Sequence, residues 1–95
     1  MQTEQFEWDE QKAAVNLKKH GVSFAEAATI FEDPYVWIEV DAVHSEDEQR
    51  LHATGFSALS RVLLVVYTER RELIRLISAR RATPEERRKY ESQFE

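Results

Sequence analysis

The sequence contains no cysteine, so disulfides, thiolate metal sites and cysteine nucleophiles are all excluded. That is compatible with a reducing cytoplasm, where the chain is expected to work. Glycine is almost as scarce, with Gly21 and Gly55 the only two in 95 residues. Without a glycine-rich loop to cradle phosphates, nucleoside-triphosphate and dinucleotide chemistry fall away. The three histidines, His20, His44 and His52, stand on separate elements and no pair has the spacing of a ligand set, so neither metal nor cofactor is expected. No serine sits in a nucleophile elbow. The longest unbroken apolar run, Val62 to Tyr67, is too short to span a bilayer. The start, Met-Gln-Thr-Glu-Gln-Phe-Glu-Trp, has neither the positive charge nor the apolar run of a signal peptide.

What is present is charge. Charged residues make up 33% of the chain, against a usual ~25%, while the hydrophobic share is an ordinary 42%. The net charge of −5 argues against nucleic acid at face value, but it is unevenly spread. Residues 1–48 hold 12 acidic and 3 basic side chains, whereas residues 61–95 hold 9 basic and 6 acidic. Such asymmetry implies one cationic surface, and the local potential is what steers a ligand. No repeat, linker or low-complexity segment interrupts the sequence, so residues 1–95 are expected to form one domain.

The periodicity predicts an α+β fold. Phe6 and Trp8 alternate with Glu7 as a short first strand. Asp9 is placed to cap a helix over Glu10–His20, ended by Gly21. Ala13 and Leu17 give that helix its small apolar face, while Lys12, Asn16, Lys19 and His20 share a polar one. Ser23 and Glu26 spell a capping box for a second helix carrying Phe24, Ala27, Ala28 and Phe31, stopped at Asp33-Pro34. From Tyr35 the period becomes two, with Val36, Ile38, Val40 and Ala42 facing one way. Strands over Glu48–Phe56, Arg61–Thr68 and Leu73–Arg80 follow on short connections, and together read as an antiparallel meander under a two-helix hairpin. Thr83, Pro84 and Glu86 then open a C-terminal helix with a capping box and a proline at its first position. Tyr90 and Phe94 are expected to dock it.

Three groups of polar residues could do chemistry. His44, Glu48 and Arg50 lie at a turn and strand start, with the carboxylate and guanidinium two apart and so on one strand face. An acid or base beside a fixed cation is what phosphodiester cleavage requires. Lys12, Lys19 and His20 line the polar face of the first helix. Arg75, Arg80, Arg81 and Arg87 gather where the last strand meets the last helix, a setting that suits a phosphate-bearing partner. Were Arg75 buried, Glu39, Asp41 or Glu48 could pair with it. A solvated basic helix face and cross-strand ion pairs are the structural alternatives.

Several of these residues, in order, carry a resemblance to a known family. Trp8-Asp9, Lys12, Asn16, Lys19-His20-Gly21-Val22-Ser23-Phe24, Ala27, Phe31 and Asp33-Pro34 are its first part. His44-Ser45, Glu48, Arg50, Ile77-Ser78-Ala79-Arg80, Ala82-Thr83, Glu86 and Tyr90 complete it. From Phe6 to Tyr90 the chain resembles the BrnT family of type II toxins, small relatives of the RelE ribonucleases. One departure stands in the turn, where Asp47 occupies a position that is often glycine in the family. The resemblance implies a RelE-like fold and metal-independent RNA cleavage that inhibits translation, ribosome-bound mRNA being one candidate substrate. It also implies a BrnA-type ribbon-helix-helix antitoxin, through which alone the pair would reach operator DNA. On that expectation Arg50, Arg80 and Lys19 serve as phosphate and transition-state cations. His20, His44 and Glu48 are the candidates for proton transfer, and Lys12, Arg81 and Arg87 would hold the RNA. The acidic balance favours a rival expectation: a non-catalytic module acting only as corepressor in an antitoxin–DNA complex.

Overall fold

The computed structural model describes residues 3–95. A five-stranded sheet runs in the order β1-β5-β4-β3-β2, with β1 at Phe6–Glu7, β2 at Trp37–Asp41, β3 at Arg50–Phe56, β4 at Val62–Arg70 and β5 at Leu73–Arg81. β2 to β5 are the expected antiparallel meander, but β1 pairs parallel with β5, so the sheet is mixed. Helix α1 (Glu10–His20) and helix α2 (Phe24–Thr29) lie on one face, and α3 (Pro84–Glu91) follows β5.

Local chemistry sets the helix ends. The Asp9 carboxylate accepts from the N–H groups of Gln11 and Lys12, and Gly21 closes α1 at φ 69°, a left-handed backbone that glycine enters without a Cβ penalty. The expected capping box on α3 is complete, Thr83 and Glu86 each accepting the other's backbone N–H. On α2 only half of it forms. Ser23 Oγ accepts from Glu26 N at 3.0 Å, but the Glu26 side chain turns away to Arg61 and Ser57.

Register decides which residues meet the helices. Ala53, Val65 and Ala79 pair across three strands, as do Leu51, Tyr67 and Leu76, so both rows share a face. Val22, Phe24, Ala27 and Ile30 close over them in one buried core. Trp8 stands edge-on to Phe24 with ring centroids 6.0 Å apart, and Phe31 meets Tyr67 likewise at 5.1 Å. Ile38 and Val40 pair with Ala53 and Leu51 and so point the same way, yet they are 49% and 54% exposed. The helices end short of the sheet's β2 edge. Leu17, expected on the buried face of α1, is 51% exposed.

The opposite face carries His52, Val66 and Ser78 in one row and Thr54, Leu64 and Arg80 in the next. The α3 helix crosses only one end of it, where Lys89 reaches Glu39 at 2.7 Å. Asp33 fixes that end: its carboxylate accepts from the Tyr90 hydroxyl, from Phe56 N at 2.9 Å and from Tyr35 N at 2.8 Å. Nearby, Gly55 permits a close approach. A Cβ there would stand 3.0 Å from Ile30 Cβ and 3.3 Å from both Ile30 O and Val36 Cγ2. Gly55→Ala is therefore expected to cost about 1–3 kcal/mol by overpacking, to be read as a lowered urea midpoint with an unchanged slope.

Candidate active site

The turn joining β2 to β3 is organised by Asp41. Its Oδ1 accepts from His44 N at 3.2 Å, and Ser45 Oγ accepts from Arg50 N at 2.9 Å. Its Oδ2 lies 2.9 Å from His44 Nδ1 and 2.9 Å from His52 Nε2. An ionised carboxylate only accepts, so each of those nitrogens carries its hydrogen. The unprotonated nitrogen of either neutral ring is then the outward one, Nε2 of His44 and Nδ1 of His52. Burial works to raise the Asp41 pKa, but the bonds from His44 and His52 outweigh it and hold the carboxylate below its ordinary range.

Arg50 is the cross-strand partner of Asp41, and no described residue lies within ion-pair distance of its guanidinium. His44, Glu46, Asp47, Glu48 and Arg50 line a depression of about 330 Å³. Glu48, expected on the strand from its spacing to Arg50, lies before it, because β3 begins only at Arg50. It instead takes a two-point grip from Arg70, at 3.1 Å and 2.8 Å, and that partner holds its carboxyl low.

The first-helix group sits elsewhere. Lys12, Lys19, His20, Val15, Ile77 and Ser78 border a groove between α1 and the edge of β5, which shares no residue with the turn depression. Asn16, expected on the exposed polar stripe, is 5% exposed. Its Nδ2 donates to Val22 O at 2.9 Å and Ala79 O at 2.8 Å, while its Oδ1 accepts from Ala79 N at 3.1 Å. The amide thus acts as a one-residue strand closing the edge of β5. Neither Lys12 nor Lys19 has an ion-pair partner among the described residues.

At the strand–helix corner the cations differ. Arg80 is held at 2.8 Å and 2.9 Å by both oxygens of Glu86, the capping-box carboxylate, which raises the Arg80 pKa and lowers that of Glu86. Arg87 pairs with Glu91 at 3.6 Å one turn on, and Arg81 is exposed with no ion pair among the described residues. Arg75 turns to Glu7 on β1, at 3.5 Å, rather than to Glu39, Asp41 or Glu48. The structure thus brings His44, Glu48 and Arg50 together and sets Lys12, Lys19 and His20 apart from them. Arg80 shares the face of His52 but is already neutralised.

Asp41 and His52 are the members of this hydrogen-bonded cluster that the sequence reading did not group with His44 and Arg50. The signal was in the register. With Asp41 opposite Arg50, His52 becomes a same-face diagonal neighbour of Asp41. Among the described residues, no group of three or more histidine, aspartate or glutamate side chains is arranged to hold a metal, and no helix is long and apolar enough to cross a membrane.

A family profile described as ribonuclease toxin, BrnT, of type II toxin–antitoxin system matches residues 8–86. The crystal structure of the Brucella abortus ribonuclease toxin, BrnT, has the same fold at a TM-score of 0.65 and 24% identity, covering 85% of this chain and 99% of that one. No curated protein matches.

Proposed function

Because the chain belongs to the BrnT family of ribonuclease toxins of type II toxin–antitoxin systems, we propose that it is a metal-independent endoribonuclease acting in the cytoplasm. It cleaves RNA, inhibits translation, and is neutralised by a BrnA-type ribbon-helix-helix antitoxin. The observation that supports this best is Arg50: a guanidinium at the start of β3 with no ion pair among the described residues, cross-strand from Asp41 and beside His44 in one depression. A fixed cation beside an imidazole is what in-line attack of a 2′-hydroxyl on its neighbouring phosphate needs, without a Lewis acid. Lys12, Lys19 and Arg81 are the cations assigned to the backbone of a longer RNA, the two lysines from a groove apart from the turn depression. Arg80 would reach a phosphate only by leaving Glu86, which ranks it behind Arg50.

The test is purified protein with RNA and with translating ribosomes, in excess chelator. Cleavage is expected to persist, and Arg50→Ala to lower its rate roughly 10- to 100-fold, the loss of one charge-assisted contact of about 1.5–3 kcal/mol. The thermal melt is expected to stay nearly unchanged. A folded Arg50→Ala protein cleaving at the full rate would remove that residue from the site. Three carboxylates, Glu46, Asp47 and Glu48, ring the same depression and repel a polyanion, which favours the second reading, a binding-only corepressor. Cleavage in either assay would end that reading.

A further inference from the structure

The ribonuclease reading leaves unexplained why one carboxylate oxygen should hold two imidazoles. His44 Nδ1 and His52 Nε2 both point at Asp41 Oδ2 from 2.9 Å, so they stand at most 5.8 Å apart. They come from different elements, the turn and β3, and their outward nitrogens remain available. The His44 side chain is 65% exposed and that of His52 34%, while Asp41 beneath them is 10% exposed. A surface ion pair needs one histidine at most. Two rings orientated by a single fixed acceptor are what a displacement at phosphorus calls for, because one proton must leave the attacking oxygen as another reaches the departing one.

We propose that His44 and His52, orientated together by Asp41, are the acid–base pair of the RNA cleavage, His44 taking the proton of the 2′-hydroxyl and His52 giving one to the 5′-oxygen. The proposal rests on the ribonuclease reading above. In the step, the 2′-oxygen forms a bond to phosphorus as its proton passes to His44 Nε2. The bond from phosphorus to the 5′-oxygen breaks, and His52 Nδ1 supplies the proton that makes that oxygen a hydroxyl. The products are a 2′,3′-cyclic phosphate and a 5′-hydroxyl, with no electrons or co-reactant needed. Arg50, the cross-strand partner of Asp41, is the cation assigned to the non-bridging oxygens.

Exposure divides the roles, since the charged surroundings of the two rings are alike. His52 is faced by Asp41 and Glu39 from β2 and by Glu85, Glu86 and Lys89 from α3, across one shared depression. The His52 side chain, 34% exposed, is the more enclosed ring and is assigned the donation to the departing oxygen. His44 is faced by Asp41, Glu46, Asp47, Glu48 and Arg50, and its side chain, 65% exposed, is the one more open to an attacking hydroxyl.

The experiment follows cleavage of a short RNA by the full chain as a function of pH, for the native protein and for His44→Gln and His52→Gln. The native profile is expected to be bell-shaped, and each variant to lose about 100-fold in rate. His44→Gln should lose the acidic limb and His52→Gln the alkaline one. A substrate with sulfur in place of the 5′-oxygen leaves as a thiolate and needs no proton. It should restore His52→Gln to within about fivefold of the native rate while leaving His44→Gln impaired. A native protein that cleaves no RNA would overturn the ribonuclease reading and this one with it. Native cleavage with an unchanged rate in His52→Gln, or a loss that the sulfur substrate does not relieve, would overturn the pair alone.

Discussion

Replacing Asn16 by leucine is expected to lower the stability of the fold by about 3–5 kcal/mol and its melting temperature by roughly 15–25 °C. The side chain is nearly isosteric, so the loss is not one of packing. It strands Val22 O, Ala79 O and Ala79 N, which the Asn16 amide satisfies at 2.8–3.1 Å in a place that water does not reach. Each buried backbone group left unpaired costs about 1–3 kcal/mol. Lys12→Ala and Lys19→Ala, on exposed positions of the same helix, are the controls and should shift stability by about 0.5 kcal/mol or less. An Asn16→Leu protein melting within a few degrees of the native one would show that β5 needs no such closure.

Glu26→Gln is the second large effect, with about 3 kcal/mol lost at neutral pH. Glu26 lies 6% exposed with its carboxylate shared by the Arg61 guanidinium and Ser57 Oγ, the latter at 2.7 Å. Arg61 also donates to Gly21 O at 3.1 Å, so one pair ties the end of α1, the start of α2 and the entry to β4. Removing the negative partner leaves a partly buried cation. A Glu26→Leu, Arg61→Leu double variant should recover most of the loss, because the apolar pair leaves no charge stranded. The pH dependence has a definite sign. The hydrogen bond from Arg61 holds the Glu26 carboxyl below its usual 4.5, against the opposing effect of burial. The pair's stabilisation is therefore complete above that value and disappears as pH falls through the lower, folded one. Urea midpoints measured from pH 7 down to pH 3 should fall more steeply for the native protein than for Glu26→Gln. Parallel curves would refute the assignment. Asp33, Asp41, Glu39, Glu48 and Glu86 are shifted the same way, so the whole fold is expected to weaken in acid.

These residues mark the boundary of what the sequence reveals. Local signals were legible: the Asp9 and Thr83 caps, the left-handed Gly21, the Asp33-Pro34 stop and the period-two strands all act within a few residues of themselves. What a polar side chain does across the fold was not. Asn16 has the spacing of a solvated stripe because a helical wheel records only its own helix, while its partner Ala79 is 63 positions away. Glu26 fits a capping box, and a guanidinium 35 positions on outbids the backbone for it. The same holds for the candidate site. His44, Glu48 and Arg50 were recognisable as a group because the turn keeps them near in sequence. Asp41 and His52 join them only once strand register is known. Lys19 and Arg80 looked equivalent to Arg50 as cations, whereas one proves to flank another groove and the other to be bound to the capping-box carboxylate of α3.

The parallel pairing of β1 with β5 has a consequence for how the chain is made. Phe6 and Glu7 pair with Ile74 and Arg75, so a strand made earlier waits for one that lies 68 positions further along the chain. Asn16 waits with it. So distant a closure comes slowly and late. The sheet can be completed only when β5 has emerged from the exit tunnel, so the first strand stays unpaired while the residues between them are made.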